Sequence, residues 1–267
     1  MSLSLALGFV VGLVLGLTGA GGGILAVPAL VVGMHWSIQQ AAPVALIAIS
    51  GSAAVGAVEA FCARLVRYRA ALLIAVAGVP ATSIGLSVAH QLPQRALLFV
   101  FGGVMLLVAF RLIYQASKEA VAASDTAWCV GRINPTTGRL TWAASMTAAL
   151  IGIGALTGFM TGLLGVGGGF VIVPLLRKFT NVPLHGVVAT SLMVIALIGT
   201  GGVIATVAHG ISFPANFALV FSVTTVLGMG AGRFASRKLS GRRLQIGFAC
   251  VLLFVSLGLM SKAALGV

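Results

Sequence analysis

The chain has 267 residues, 60% hydrophobic and only 7% charged, whereas soluble domains carry about 25% charged residues. So few charges cannot cover a water-facing surface, so lipid is the expected solvent and no room is left for a separate soluble domain. The net charge of +13 sits between apolar runs with no cluster of aromatics beside it, a pattern of membrane topology rather than of nucleic-acid binding.

The opening Met1-Ser2-Leu3-Ser4-Leu5 has no basic stretch and no cleavage site, so no removable signal peptide is expected. The pattern then predicts a helix over 3–18, a break over 19–23 and a short helix over 24–33. Helices follow near 41–62, 70–90 and 95–115. A polar linker over 116–140 holds the turn signal Asn134-Pro135-Thr136-Thr137-Gly138. The later elements are a helix over 141–164, a break over 165–169, a short helix near 170–178, and helices near 186–208, 214–236 and 243–262. The long runs approach the roughly 20 apolar residues that a membrane crossing needs.

The two parts repeat one another. Gly12–Leu30 and Gly158–Leu176 align without gaps at a shift of 158 − 12 = 146. Gly12, Gly16, Leu17, Gly19, Gly21, Gly22, Gly23, Val27, Pro28 and Leu30 are identical in both copies. Apolar composition matches leucines by chance, but not six glycines and a proline in register. Leu92-Pro93-Gln94-Arg95 matches Leu239-Ser240-Gly241-Arg242 at a shift of 147. The expected organisation is a first membrane repeat over 1–115, a cytoplasmic linker over 116–140 and a second repeat over 141–267.

Charge discriminates between two topologies. If each glycine-containing segment crosses once, the 16 Lys and Arg residues divide 8 and 8 between the two faces, against the bias of basic residues to the cytoplasm. If each break turns the chain back, 14 fall on one face, and only Arg95 and Lys262 on the other. Each half then has three full crossings plus a glycine-broken re-entrant segment. The halves are inverted relative to each other, and both termini lie outside the cytoplasm. The expected fold is thus an all-α integral membrane protein built by inverted duplication. Inverted repeats are a transporter plan, with sites at interrupted helices near the midplane.

The candidate site is the pair of breaks: Gly19, Gly21, Gly22 and Gly23 in the first copy, and Gly165, Gly167, Gly168 and Gly169 in the second. Broken backbone is tolerated in a membrane only where it is buried or lines a cavity. The helix that starts after each break presents free N–H groups and a positive dipole end, which suits an anion. The alternative is that these glycines only allow close helix packing, the role expected of Gly8, Gly12 and Gly16. A dinucleotide fingerprint needs a strand before the loop and an acid about 20 residues on; Pro43 and apolar neighbours stand there instead.

Thr190 and Ser191 are candidate hydroxyl donors, with Val44 and Ala45 as counterparts in the first copy. The alternative for both is a bond to the preceding helical turn. Ser50 and Ser52 are weaker candidates; His35 and Asn181 occupy equivalent positions after the short helices. Glu59 is the only acid in an expected span. It is a candidate for proton coupling, or else for an ion pair with nearby Arg64. Arg177 and Lys178 either draw anions in or set topology. Cys62, Cys129 and Cys250 show neither disulfide nor zinc spacing. With three acids in the chain, acid–base or metal-assisted catalysis is poorly supplied.

The duplicated Gly-x-Gly-Gly-Gly-x4-Pro motif, Gly19–Pro28 and Gly165–Pro174, resembles that of the TauE/SafE sulfite-exporter family. The resemblance covers nearly the whole chain. It implies a multi-pass protein of the bacterial inner membrane that exports sulfite, sulfoacetate or related sulfur oxyanions. Ala189-Thr190-Ser191-Leu192 looks typical of the family, while Ala42-Pro43-Val44-Ala45-Leu46 departs from its pattern. The expectation is an exporter of small anions, sulfite or an organosulfonate, working by alternating access without metal or cofactor. Its partners are the anion and the lipid bilayer, with homo-oligomerisation left open. The alternatives are transport of a metal cation or an amino acid, or a membrane scaffold.

Overall fold

A computed structural model describes residues 2–19, 21–118, 144–180, 183–210, 214–236 and 241–265. In chain order the helices are α1 (Ser2–Thr18), a 3-10 turn (Gly22–Leu25), α2 (Ala26–Gly33), α3 (Ile38–Cys62), α4 (Tyr68–Gln91) and α5 (Gln94–Lys118). The second part repeats the plan with α6 (Ala144–Leu164), α7 (Gly169–Phe179), α8 (Leu184–Ala208), α9 (Ala215–Ser236) and α10 (Gly241–Leu265). Expected boundaries hold to a few residues. The clearest difference is α5, which runs to Lys118, past the expected end at 115. The rest of the expected linker, with Asn134-Pro135, lies outside the described residues, as does Asn181.

Local signals explain the ends. Ser37 opens α3 with a capping box: Gln40 N–H donates to Ser37 Oγ at 3.2 Å, and Ser37 N–H donates to Gln40 Oε1 at 3.3 Å. The end of α3 is closed by Leu65 N–H donating to Ala60 O at 3.1 Å and Arg64 N–H to Phe61 O at 2.9 Å. That closure puts Arg64 in the left-handed region at φ 57°. Its repeat counterpart is Gly210, at φ 69°. The duplication therefore extends to the backbone of this turn.

Among the described residues, seven helices are long and apolar enough to cross a membrane: α3, α4, α5, α6, α8, α9 and α10. The multi-pass all-helical fold agrees with expectation. The second half, however, holds one candidate span more than the three expected, because α6 has 21 residues and its counterpart α1 has 17.

Glycine contacts reveal the register of packing. Gly8, Gly12 and Gly16 of α1 lie on Phe221, Thr225 and Met229 of α9 in that order, so these helices run parallel. Gly154, Gly158 and Gly162 of α6 lie on Ile74, Gly78 and Thr82 of α4 in the same sense. A Cβ on Gly12 would stand 2.0 Å from Thr225 O, and one on Gly158 would stand 2.0 Å from Gly78 O. Only glycine allows backbones this close, the small-residue packing that holds helices together in lipid. By contrast, α3 and α8 are antiparallel, with Leu46 on Gly202, Ser50 on Gly199 and Leu192 on Gly56. So are α5 and α10: Ser256 Oγ donates to Gly102 O at 2.9 Å, and Gln245 Nε2 to Leu112 O at 3.2 Å. The first helix of each half thus packs on a helix of the other half, and the two halves interlock.

Candidate functional site

Both breaks fold the chain back on itself. Gly19, at φ 80°, ends α1. The returning 3-10 turn then lays Gly22 on the Leu15 backbone, where a Cβ would be 2.5 Å from Cα of Leu15. At the far end of α2, Gly33 lies beside the Leu7 side chain, so α2 runs back along α1. In the second half Gly165 (φ 70°), Gly167 (φ 74°) and Gly168 (φ 64°) all take left-handed conformations. Gly165 packs on Ala42, and Gly168 packs on Thr157.

The breaks meet at the centre of the bundle. A Cβ on Gly23 would stand 3.2 Å from Val166 O and 3.2 Å from Ile49. One on Gly167 would touch Ile49 at 3.0 Å and Ile195 at 3.1 Å. Ile49 and Ile195 are repeat counterparts, since 195 − 49 = 146.

Although alike in sequence, the breaks differ in backbone. Gly21 is right-handed, at φ −84° and ψ −28°, and leads into a 3-10 turn. Gly168, at φ 64° and ψ 4°, is the N-cap of the eleven-residue α7, and no side chain caps it. A left-handed residue followed by a right-handed one gathers successive N–H groups into an anion-binding concavity.

Two cavities flank the centre. The larger, about 1010 Å³, has Gly19, Gly21, Gly169 and Phe170 in its wall and Arg111, Arg177, His185, Arg233 and Glu59 among its polar lining. The smaller, about 20 Å³, is lined in part by Gly165, Ala42, Gln39, Leu86 and Leu163. These are repeat counterparts: Gly19 with Gly165, Val188 with Ala42, His185 with Gln39 and Leu17 with Leu163 at the shift of 146, and Arg233 with Leu86 at 147. One vestibule is open and cationic, and its structural twin is pinched and uncharged at the matching positions.

The profile of a family described as "Sulfite exporter TauE/SafE" matches residues 4–259. The chain belongs to the TauE/SafE family. A probable membrane transporter protein of Xylella fastidiosa (strain Temecula1) is 30% identical over 243 residues, 88% of this chain and 85% of that protein. Two probable membrane transporter proteins of Bacillus subtilis (strain 168), YunE and YjnA, are each 25% identical, over 93% and 97% of this chain and 93% and 100% of their own lengths. No solved structure matches the chain. A TauE/SafE chain with seven candidate spans among its described residues is a multi-pass membrane transporter that handles a small solute within a bilayer, in a family of membrane transporters.

In this TauE/SafE chain the side chains expected at the site fall into distinct positions. Thr190 is 2% exposed; its hydroxyl donates to Gly186 O at 2.7 Å and accepts Arg67 N–H at 3.1 Å. Ser191 Oγ donates to Val188 O at 2.8 Å. Both hydroxyls are thus engaged within the protein, and Ala189, Val188 and His185 face the cavity instead. Ser50 and Ser52 likewise bond to Ile47 O and Ala48 O of their own helix. His35 is an exposed residue at φ 55° after α2. Glu59 does form an ion pair, but with Arg233 of α9 rather than Arg64. Arg177 lines the cavity; Lys178 lies against Phe179. Among the described residues, no three His, Cys, Asp or Glu side chains come together to hold a metal.

Sequence reasoning passed over Arg111, His185, Arg233 and Thr157. The available signal was divergence between the copies: Gln39 and Leu86 stand where His185 and Arg233 do, and Val11 where Thr157 does.

Proposed function

We propose that this TauE/SafE chain moves small anions, sulfite or an organosulfonate, across the bacterial inner membrane by alternating access between inverted halves. The observation that carries the reading is the pair of repeat-equivalent cavities, about 1010 Å³ on one side and about 20 Å³ on the other. Exchanging the conformations of the two halves would pinch the first and open the second, giving access to one central point from each side in turn.

Inversion is supported by helix direction. Counterparts α3 and α8, and α5 and α10, pack antiparallel, whereas repeats related about the membrane normal would bring counterparts together parallel. The large cavity then opens on the face carrying Arg64, Arg67, Arg69, Arg111, Arg177 and Arg233, with Arg95 and Lys262 opposite. By the bias of basic residues this is the cytoplasmic face. The conformation is cytoplasm-open, and both termini lie on the far side.

An anionic substrate fits the chemistry. Arg111, Arg177 and Arg233 outnumber Glu59 in the lining, which raises the local anion concentration. At the centre, each break offers backbone amides, Gly21–Gly23 in one and Gly167–Gly169 in the other, as candidate donors that need no cationic side chain, while Gly19 and Gly165 allow the reversals. Thr190 and Ser191 are secondary donors that must first leave their own helix.

Glu59 is proposed as the coupling group, because protonation would release Arg233 to a passing anion. The test uses proteoliposomes loaded with sulfite, sulfate or a short alkanesulfonate, with and without a proton gradient. The expected result is flux of sulfite or the sulfonate. Glu59→Gln should keep downhill flux and lose its response to the gradient. An unchanged response removes Glu59 from coupling; flux of amino acids or divalent cations but of no anion removes the substrate assignment.

A further inference from the structure

We propose that the anion is held by the second break alone, at the start of α7, and that the Thr157 hydroxyl is one of its ligands. This deepens the anion-transport reading and rests on it.

Thr157 departs from the habit of the other buried threonines. Thr82, Thr161, Thr190, Thr206 and Thr225 each donate to the carbonyl four residues back, at 2.6 to 2.9 Å. Thr157 is fully buried at 0% exposure. Among the described residues, its Oγ1 is the one buried side-chain polar atom with no hydrogen-bond partner. Leaving a buried hydroxyl unpaired is costly, so a valine would suit a purely structural position better. The counterpart in the first half is indeed Val11.

The Thr157 side chain packs on the α7 start. A Cβ on Gly168 would lie 2.1 Å from Thr157 Cγ2 and 3.0 Å from Thr161 Oγ1. Gly168 is the uncapped, left-handed N-cap of α7, and the helix begins at Gly169. The N–H groups gathered there and the dipole favour negative charge. A cation would meet the wrong end of the helix, so the hydroxyl serves as a donor. Gly169 and Phe170 line the open cavity, which brings a solute to the α7 start, with Thr157 covered behind it.

The first break also reaches the cavity, through Gly19 and Gly21, and also has no side-chain cap, but it lacks the left-handed N-cap and the unpaired hydroxyl. Gly21 is right-handed, Gly22 is closed against the Leu15 backbone, and Val11 and Leu15 replace Thr157 and Thr161. The ligand class that fits the second break is a compact oxyanion head, the shared group of sulfite and sulfonates.

The experiment measures the concentration dependence of sulfite flux in proteoliposomes for wild type, Thr157→Val and Thr157→Ser, with thermal melting of each. Thr157→Val should raise KM about tenfold or more, the size expected for a lost bond to a charged group. Its melting temperature should equal or exceed that of wild type. Thr157→Ser should stay near wild type in both. If the Val variant does not fold, Thr157→Ala supplies the same KM comparison. A valine or alanine variant with the wild-type KM overturns the proposal. A wild type that moves neither sulfite nor sulfonate refutes the transport reading itself, a result distinct from any Thr157 effect.

Discussion

Gly158→Leu is expected to abolish the native bundle. A Cβ there would stand 2.0 Å from Gly78 O and 2.6 Å from its carbonyl carbon. The obstacle is backbone, so no rotamer change relieves it. Its neighbours are as tight: Gly154 meets Ile74 O at 2.3 Å and Gly162 meets Thr82 O at 2.0 Å. Helix α6 would have to move off α4 along its length. Overpacking that side chains can absorb costs about 1–3 kcal/mol, and this clash should exceed that range. Gly12→Leu, against Thr225 O at 2.0 Å, should fail equally. Gly152→Leu is the control on the same helix, with nothing within 4 Å, and should change stability by no more than about 0.5 kcal/mol. Size-exclusion profiles and melting in detergent read the outcome. A Gly158→Leu protein that melts like wild type would show that the α4–α6 interface is not as close as described.

Gly168→Ala is expected to reduce anion flux at least tenfold in a protein that still folds. Two effects combine. The left-handed φ of 64° disfavours any side chain, at about 1–2 kcal/mol. The added methyl would also meet Thr157 Cγ2 at 2.1 Å, forcing apart the α7 start and α6 where the donors converge. Gly210→Ala separates the two effects, because Gly210 shares the strain at φ 69° but has nothing within 4 Å. It should lose stability by a similar amount and keep its flux. Equal flux loss in both variants would assign the effect to backbone strain rather than to the site.

Much of the architecture was legible in the residues because a membrane leaves few choices. Apolar runs of spanning length must be helices, and the polar breaks between them are short. The glycine repeat marked where the chain reverses, and the four-residue spacing of Gly8, Gly12 and Gly16 marked a packing face. Other features depend on contacts between distant segments. Glu59 lies near Arg64 along the chain, yet its partner is Arg233, 174 residues away. The pairing of α1 with α9 and of α6 with α4, which interlocks the halves, has no signature in either helix alone.

The two breaks show a different limit. Identical Gly-x-Gly-Gly-Gly strings take a 3-10 turn in one half and a left-handed pair in the other, because glycine permits both conformations. The surroundings decide between them: Leu15 backbone against Gly22, and Thr157 and Thr161 against Gly168. Those threonines could have been found by asking where the copies differ rather than where they agree. Thr190 and Ser191 are candidates by residue type and by family resemblance, yet both hydroxyls donate to their own helix and Thr190 also accepts the Arg67 N–H.

Paired cysteine accessibility tests the account's central claim, that one anion path is opened alternately by two equivalent halves. In a background without Cys62, Cys129 and Cys250, His185→Cys reports on the large cavity and Gln39→Cys on its small counterpart. A membrane-impermeant thiol reagent should reach His185→Cys readily from the cytoplasmic side and Gln39→Cys poorly from outside. Sulfite that drives turnover should lower the first rate and raise the second. Rates that ignore sulfite, or that rise and fall together, would contradict alternating access between the halves.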